Sequence, residues 1–174
     1  MIKKLGILIF LFLTTLTAFS QKKCKFDYEK EDKVSGKTIR FYEFNILLAG
    51  VKIQIGNNGP QSYFNFGIDM VGEKEEVIRK ETDTLYIRLA NKELLTLNPK
   101  ENTKGTAHIN EQQRQVKTFF APMYYMTEDQ LKMLSESPIV GFKFLIEGLE
   151  YTVEMPDKKG EKIMEGFGCL KQSK

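Results

Sequence analysis

The 174-residue chain has no tryptophan, a single histidine and only two cysteines, and each shortage removes a class of chemistry. One imidazole, His108, excludes a multi-histidine zinc centre by count. A serine triad would have to be assembled around that same residue, which lies in the polar segment GTAHIN and reads as a surface or loop histidine. No G-x-S-x-G, glycine-rich phosphate loop, H-E-x-x-H or C-x-x-C occurs, so no catalytic residue, metal ligand or cofactor is assigned from motif. The acidic run Asp27, Glu29, Glu31 and Asp32 lacks the ligand register and downstream bidentate acid of a calcium loop and reads as a solvated turn. Glu43 and Asp69, the acids inside otherwise apolar strands, fall on the polar face of the alternation.

An excess of one charge is also missing. Lysine and glutamate are interleaved, as in KEDK, GEKEE and PDKKGEK, and no basic patch marks a nucleic-acid footprint. The formal charge of +3 falls to about +1 once Lys3 and Lys4 are removed with the leader, because no acid leaves with them.

Long apolar runs are confined to the start. Leu5 to Phe19 is 15 residues with three threonines, short of the roughly 20 apolar residues of a spanning helix. Lys3 and Lys4 precede it and Ala18-Phe19-Ser20 follows as an A-x-A-like cleavage signal, the pattern of a secretory signal peptide. Residues 1–20 are therefore expected to be a leader and 21–174 a single exported domain, periplasmic or secreted, which does not span a membrane once the leader is gone. Cys24 follows Lys22 and Lys23 where a lipobox needs a small residue, so lipidation is disfavoured. Its remaining fates are a free thiol or a bond to Cys169, and an even pair in an oxidising compartment is expected to form the Cys24–Cys169 disulfide.

What the chain does have is alternation. Phe64, Phe66, Ile68 and Met70 alternate with Tyr63, Asn65, Gly67 and Asp69, predicting a strand over 62–71 with one face on a core. Tyr42, Phe44, Ile46 and Leu48 predict another, and Val51, Ile53 and Ile55 a third ahead of the Asn58-Gly59 turn signal. Leu85, Ile87 and Leu89 return through Ala90-Asn91-Lys92-Glu93 to Leu95 and Leu97. Residues 98–115 read as a loop with a short strand at 105–109, and 116–125 as extended with Pro122 marking an edge or a bulge. Thr127 and Gln130 form a capping box and Met126 with Leu131 a hydrophobic staple, so a short helix is predicted near 127–136, ended by Ser137-Pro138. Val140, Phe142, Phe144 and Ile146 share a strand face, Tyr151 and Val153 return, and Ile163, Met164, Phe167 and Leu170 follow helical spacing despite three glycines.

The expectation is an α+β fold, mainly β. Seven to nine strands would form an antiparallel curved sheet, sandwich or partly open barrel, with the C-terminal helix on the sheet or over an edge. The leader, and the run YYMTEDQLKMLSESPIVGFKF followed by the late FGCL, resemble small secreted proteins of Bacteroidota-type bacteria. That resemblance implies secretion and supports pairing of the terminal cysteines, but transfers no functional residue.

The surplus of strand aromatics is the remaining signal. Tyr63, Tyr86, Phe119, Tyr124 and Tyr125 are the candidate binding residues, on the reading that some of them face outward. The rival reading makes them cross-strand pairs covered by other residues. The function expected is a non-enzymatic exported domain binding a partner protein or an apolar ligand through a sheet face. The alternatives are a carboxylate-dependent hydrolase and an envelope assembly component.

Overall fold

The computed structural model describes residues 24–46, 50–146 and 148–173; the leader and Leu48 lie outside the described residues. Thirteen strands and two helices are formed among them. In chain order the strands are β1 (Tyr28–Glu31), β2 (Thr38–Ile46), β3 (Val51–Asn58), β4 (Gln61–Val71), β5 (Val77–Ile78), β6 (Leu85–Leu89), β7 (Leu94–Leu97), β8 (Thr103–Lys104), β9 (Thr106–Asn110), β10 (Gln115–Phe120) and β11 (Met123–Met126). Helix α1 (Glu128–Glu136), strands β12 (Ile139–Ile146) and β13 (Leu149–Glu154) and helix α2 (Asp157–Gln172) complete the domain. The fold is α+β and mainly β, as the alternation requires. The count exceeds seven to nine because short strands such as β1, β5 and β8 have too few residues to print a period of two.

All strand pairs among the described residues are antiparallel. A seven-stranded sheet runs β1-β2-β3-β4-β10-β9, with β11 also on β4, and a four-stranded sheet runs β13-β12-β6-β7; β5 and β8 pair separately. The first sheet is strongly curled, and its concave face carries Ile53, Ile55, Phe64 and Phe66, all essentially buried. The second sheet supplies Ile87, Phe142 and Phe144 to the same core. Phe66 lies 5.1 Å, centroid to centroid, from both Phe142 and Phe144, which locks one sheet on the other. Each such ring removed from water stabilises the fold by about 1.5–3 kcal/mol.

Two local predictions resolve in detail. Strand β3 continues through Asn58, and the turn is Gly59-Pro60, with Gly59 at φ +64° supplying the left-handed first position and proline fixing the second. Pro122 marks an edge and not a bulge: β11 beyond it pairs with β4 alone, and Phe120 faces Ile68 before it and Met123 faces Asn65 after it in one unbroken register. Its carbonyl still accepts from Phe66 N–H at 3.2 Å, so only the missing donor separates β10 from β11.

Helix α1 starts as its sequence dictates. Gln130 N–H donates to Thr127 Oγ1 at 3.2 Å and Thr127 N–H donates to Gln130 Oε1 at 2.9 Å, while Met126 and Leu131 are both buried. Helix α2 packs against α1 and reaches both sheets, through β12 on one side and β2 and β3 on the other. Its buried stripe is Ile163, Phe167 and Leu170, with Phe167 6.3 Å from Phe64. The glycines that weaken its helical propensity are what let it seat: a Cβ on Gly160 would stand 2.2 Å from the Ile139 carbonyl oxygen, and one on Gly166 2.9 Å from Ile55 Cδ1.

The end of α2 is tied down from the sheet and from the N-terminal segment. Arg40 donates to the Ser173 carbonyl at 2.8 Å and pairs with Glu29 at 3.1 Å, and Asn57 donates to the Leu170 carbonyl at 3.3 Å. These donors satisfy carbonyls that a helix leaves open at its C-terminus. Cys24 and Cys169 form the expected disulfide, with Cα atoms 5.6 Å apart. Closing a 145-residue separation stabilises the fold by about 4–5 kcal/mol on chain entropy.

Candidate functional site

A concavity lies on the outer face of the four-stranded sheet. Strand alternation puts Leu85, Ile87 and Leu89 of β6 and Phe142, Phe144 and Ile146 of β12 in the core, so Tyr86, Arg88, Gly141 and Lys143 face outward. Register then aligns Leu94, Arg88, Gly141 and Glu154 in one row across β7, β6, β12 and β13. The next row is Thr96, Tyr86, Lys143 and Thr152. At the centre of the first row Gly141 contributes no side chain, next to a register shift between Ile139 and Gly141. The result is a groove of about 480 Å³ bounded by the first row and by Tyr86, Lys143 and Thr152 of the second.

Its electrostatics are internally balanced. Arg88 and Glu154 sit on strands that are not neighbours, and their side chains meet over Gly141 at 2.7 Å. Lys143 Nζ lies 2.6 Å from Glu150 Oε2 and 5.9 Å from the Tyr86 ring centroid. Both ion pairs are solvent-exposed and add at most about 1 kcal/mol of stability. What they do is hold donors and acceptors in place beside an aromatic ring and the exposed side chain of Leu94, 61% accessible.

Of the five aromatic candidates, only Tyr86 lines this groove. Tyr124 is a core residue, 1% exposed and 6.3 Å from Phe64, so it is withdrawn as a binding residue: its position on β11 points it into the concave face. Burial, and secondarily the Asp83 carboxylate, raise its phenol well above the ordinary tyrosine value. Tyr63 is on the convex face but only 6% exposed, and it too is withdrawn. Its hydroxyl stands 2.7 Å from where a Cβ on Gly56 would be, and Tyr125 is its direct cross-strand partner. Phe119 covers Gly67 in the same way, with Lys52 Nζ 5.7 Å from its ring. Tyr125 lies under Lys100, 5.2 Å away. Tyr63 and Phe119 fill the gaps that Gly56 and Gly67 leave, which is a reason for them independent of any ligand.

Two polar clusters lie elsewhere. His108 Nε2 is 3.6 Å from Asp69 Oδ1 on the convex face, the approach spanning strand β10. Asp83, buried between β5 and β6, accepts from Arg79 N–H at 2.9 Å and from the Thr82 hydroxyl at 3.0 Å, and so fixes the turn that leads into the core strand. Glu43 and Asp69 are on the outer face, as the alternation predicts. The groove lining contains one carboxylate, Glu154, and its side chain is 68% exposed.

Arg88, Leu94, Gly141, Lys143, Thr152 and Glu154 were not among the sequence-derived candidates. Each reads as an ordinary outward strand position, and only the register across four strands assembles them. Among the described residues no helix is long and apolar enough to cross a membrane. Comparison with protein-family models, curated proteins and solved structures finds no match to this chain.

Proposed function

We propose that this chain is an exported, non-enzymatic binding domain whose ligand surface is the outer face of the β13-β12-β6-β7 sheet. The observation that carries the reading is the groove over Gly141, of a size that small-ligand sites occupy and mixing apolar with convergent polar side chains. The disulfide and the leader sequence support export, as does the resemblance to small secreted proteins. The test is amide chemical-shift mapping on oxidised residues 21–174, with N-acetyl-phenylalaninamide and 8-anilinonaphthalene-1-sulfonate as probes. Perturbed amides should cluster in β6, β12 and β13 and vanish in Leu94→Glu. Perturbations confined to another surface, or none at all, would refute the assignment.

A second reading, assembly by strand addition, is favoured by β9. This edge strand carries no Lys, Arg, Asp, Glu or Pro, Ile109 is 71% exposed, and its cross-strand partner Val116 is exposed beside it. Of the other edges, β1 and β13 carry Glu29, Lys30 and Glu31, and Glu150 and Glu154, the charges that discourage edge pairing, whereas β7 carries none but is only four residues long. Sedimentation velocity decides it for self-assembly: association that grows with concentration and disappears in Ile109→Lys supports strand addition, and a monomer at every concentration excludes it.

A further inference from the structure

Resting on the proposal above, we infer that the groove's ligand is a neutral oligosaccharide rather than an ion or a purely apolar molecule. The charges decide this. Arg88 is paired with Glu154 at 2.7 Å and Lys143 with Glu150 at 2.6 Å, so the two cations are matched by two carboxylates and an incoming carboxylate or ammonium meets no uncompensated charge. A purely apolar ligand would bury both pairs without offering them hydrogen bonds, which costs free energy for every polar atom left unmatched.

A sugar meets both conditions. Vicinal hydroxyls are donor and acceptor side by side, and the Arg88–Glu154 pair presents the complement. A guanidinium with five N–H donors adjoins a carboxylate with lone pairs to spare, and Thr152 adds a hydroxyl in the neighbouring row. Hydrogen bonds to ionised groups are the stronger kind, and pairing holds these groups oriented before the ligand arrives. The less polar C–H face of a pyranose is matched by Tyr86 and by the exposed side chain of Leu94, on the same face as the ion pair. Over Gly141 the Arg88–Glu154 pair takes the space that a side chain there would fill, so the ring meets the pair itself, between Tyr86 and Leu94.

The experiment is amide-shift titration of oxidised residues 21–174 with three tetrasaccharides: β-1,4-linked glucose, β-1,4-linked N-acetylglucosamine and α-1,4-linked glucose. A tetra-aspartate peptide serves as the anionic comparator. At least one sugar should give saturable shifts in β6, β12 and β13, with affinity constant within about twofold between about 50 and 500 mM salt, since a neutral ligand is not screened. Tyr86→Ala and, separately, Glu154→Gln should each weaken that sugar at least tenfold, while Tyr86→Trp keeps binding and shows that the ring rather than the fold is at stake. Tighter, salt-sensitive binding of tetra-aspartate would overturn the inference, as would no shift with any sugar. If the aromatic probes still map to the groove when every sugar fails, the oligosaccharide falls and the binding-domain reading stands; if both fail, both fall.

Discussion

Helix α2 contains three glycines in one element, and replacing two of them by alanine should move stability in opposite directions. Gly160 and Gly168 are both helical, so each Gly→Ala change gains about 1 kcal/mol of helix propensity. A Cβ on Gly168 meets nothing within 4 Å, and that variant should be stabilised by about 0.5–1 kcal/mol. A Cβ on Gly160 meets the Ile139 carbonyl oxygen at 2.2 Å, where ordinary contact is above 3 Å. The obstacle is backbone, and Ile139 is itself paired with Leu89, so the strand cannot yield cheaply. The helix must therefore retreat by about 1 Å across its whole seat on β12, and overpacking of that kind costs about 1–3 kcal/mol or more. Because the clash is with backbone the upper part of that range applies, about 2–3 kcal/mol, so net of propensity Gly160→Ala should lose about 1–2 kcal/mol, leaving the two variants about 1.5–3 kcal/mol apart. Urea unfolding of the oxidised proteins, followed by circular dichroism, gives both numbers from midpoints at constant slope. Equal shifts of the same sign would mean that α2 does not rest on β12 at Gly160, and the packing described here would be wrong.

Three further outcomes follow from named contacts. Unfolded, unreduced protein should titrate no thiol, and Cys24→Ser with Cys169→Ser should cost up to about 4–5 kcal/mol in the same urea assay. Thr127→Ala removes one arm of the capping box and should cost about 1 kcal/mol, with Thr127→Ser close to neutral. Tyr42, Tyr63 and Tyr124 all have phenols raised by burial, so the folded state holds protons that the unfolded chain releases above pH 10. Their contribution is complete below that pH and is lost as pH rises beyond it, by about 1.4 kcal/mol per unit for Tyr124. Stability measured from pH 8 to 12 should fall less steeply in Tyr124→Phe than in the parent.

Local signals proved legible wherever one segment contains its own explanation. The capping box of Thr127 and Gln130, the stop at Ser137-Pro138 and the alternation through Phe64, Phe66 and Ile68 are each complete within about ten residues. The disulfide was legible for another reason, since two cysteines leave a single possible pairing within the chain. The groove was not. Arg88 and Glu154 are 66 residues apart and meet only because β12 places Gly141 between them, which is a fact about register across three strands. The aromatic residues misled for a related reason: Tyr124 and Tyr125 are neighbours in sequence, but a period of two sends one into the core and the other to the convex face. What separates a ring that awaits a ligand from one that covers a glycine is the adjacent strand, and Gly56 lies seven residues from Tyr63 through a turn.

The bond between Cys24 and Cys169 also governs how the domain carries load. Tension applied between its two ends runs from one sulfur to the other and bypasses the polypeptide between them, because the attachment points are 5.6 Å apart at their Cα atoms. The hairpins and the helix seat are then spared the pull. A chain tethered at one end and held at the other behaves as a short inextensible link for as long as that bond is oxidised, and reduction converts the same molecule into an element that can be drawn out.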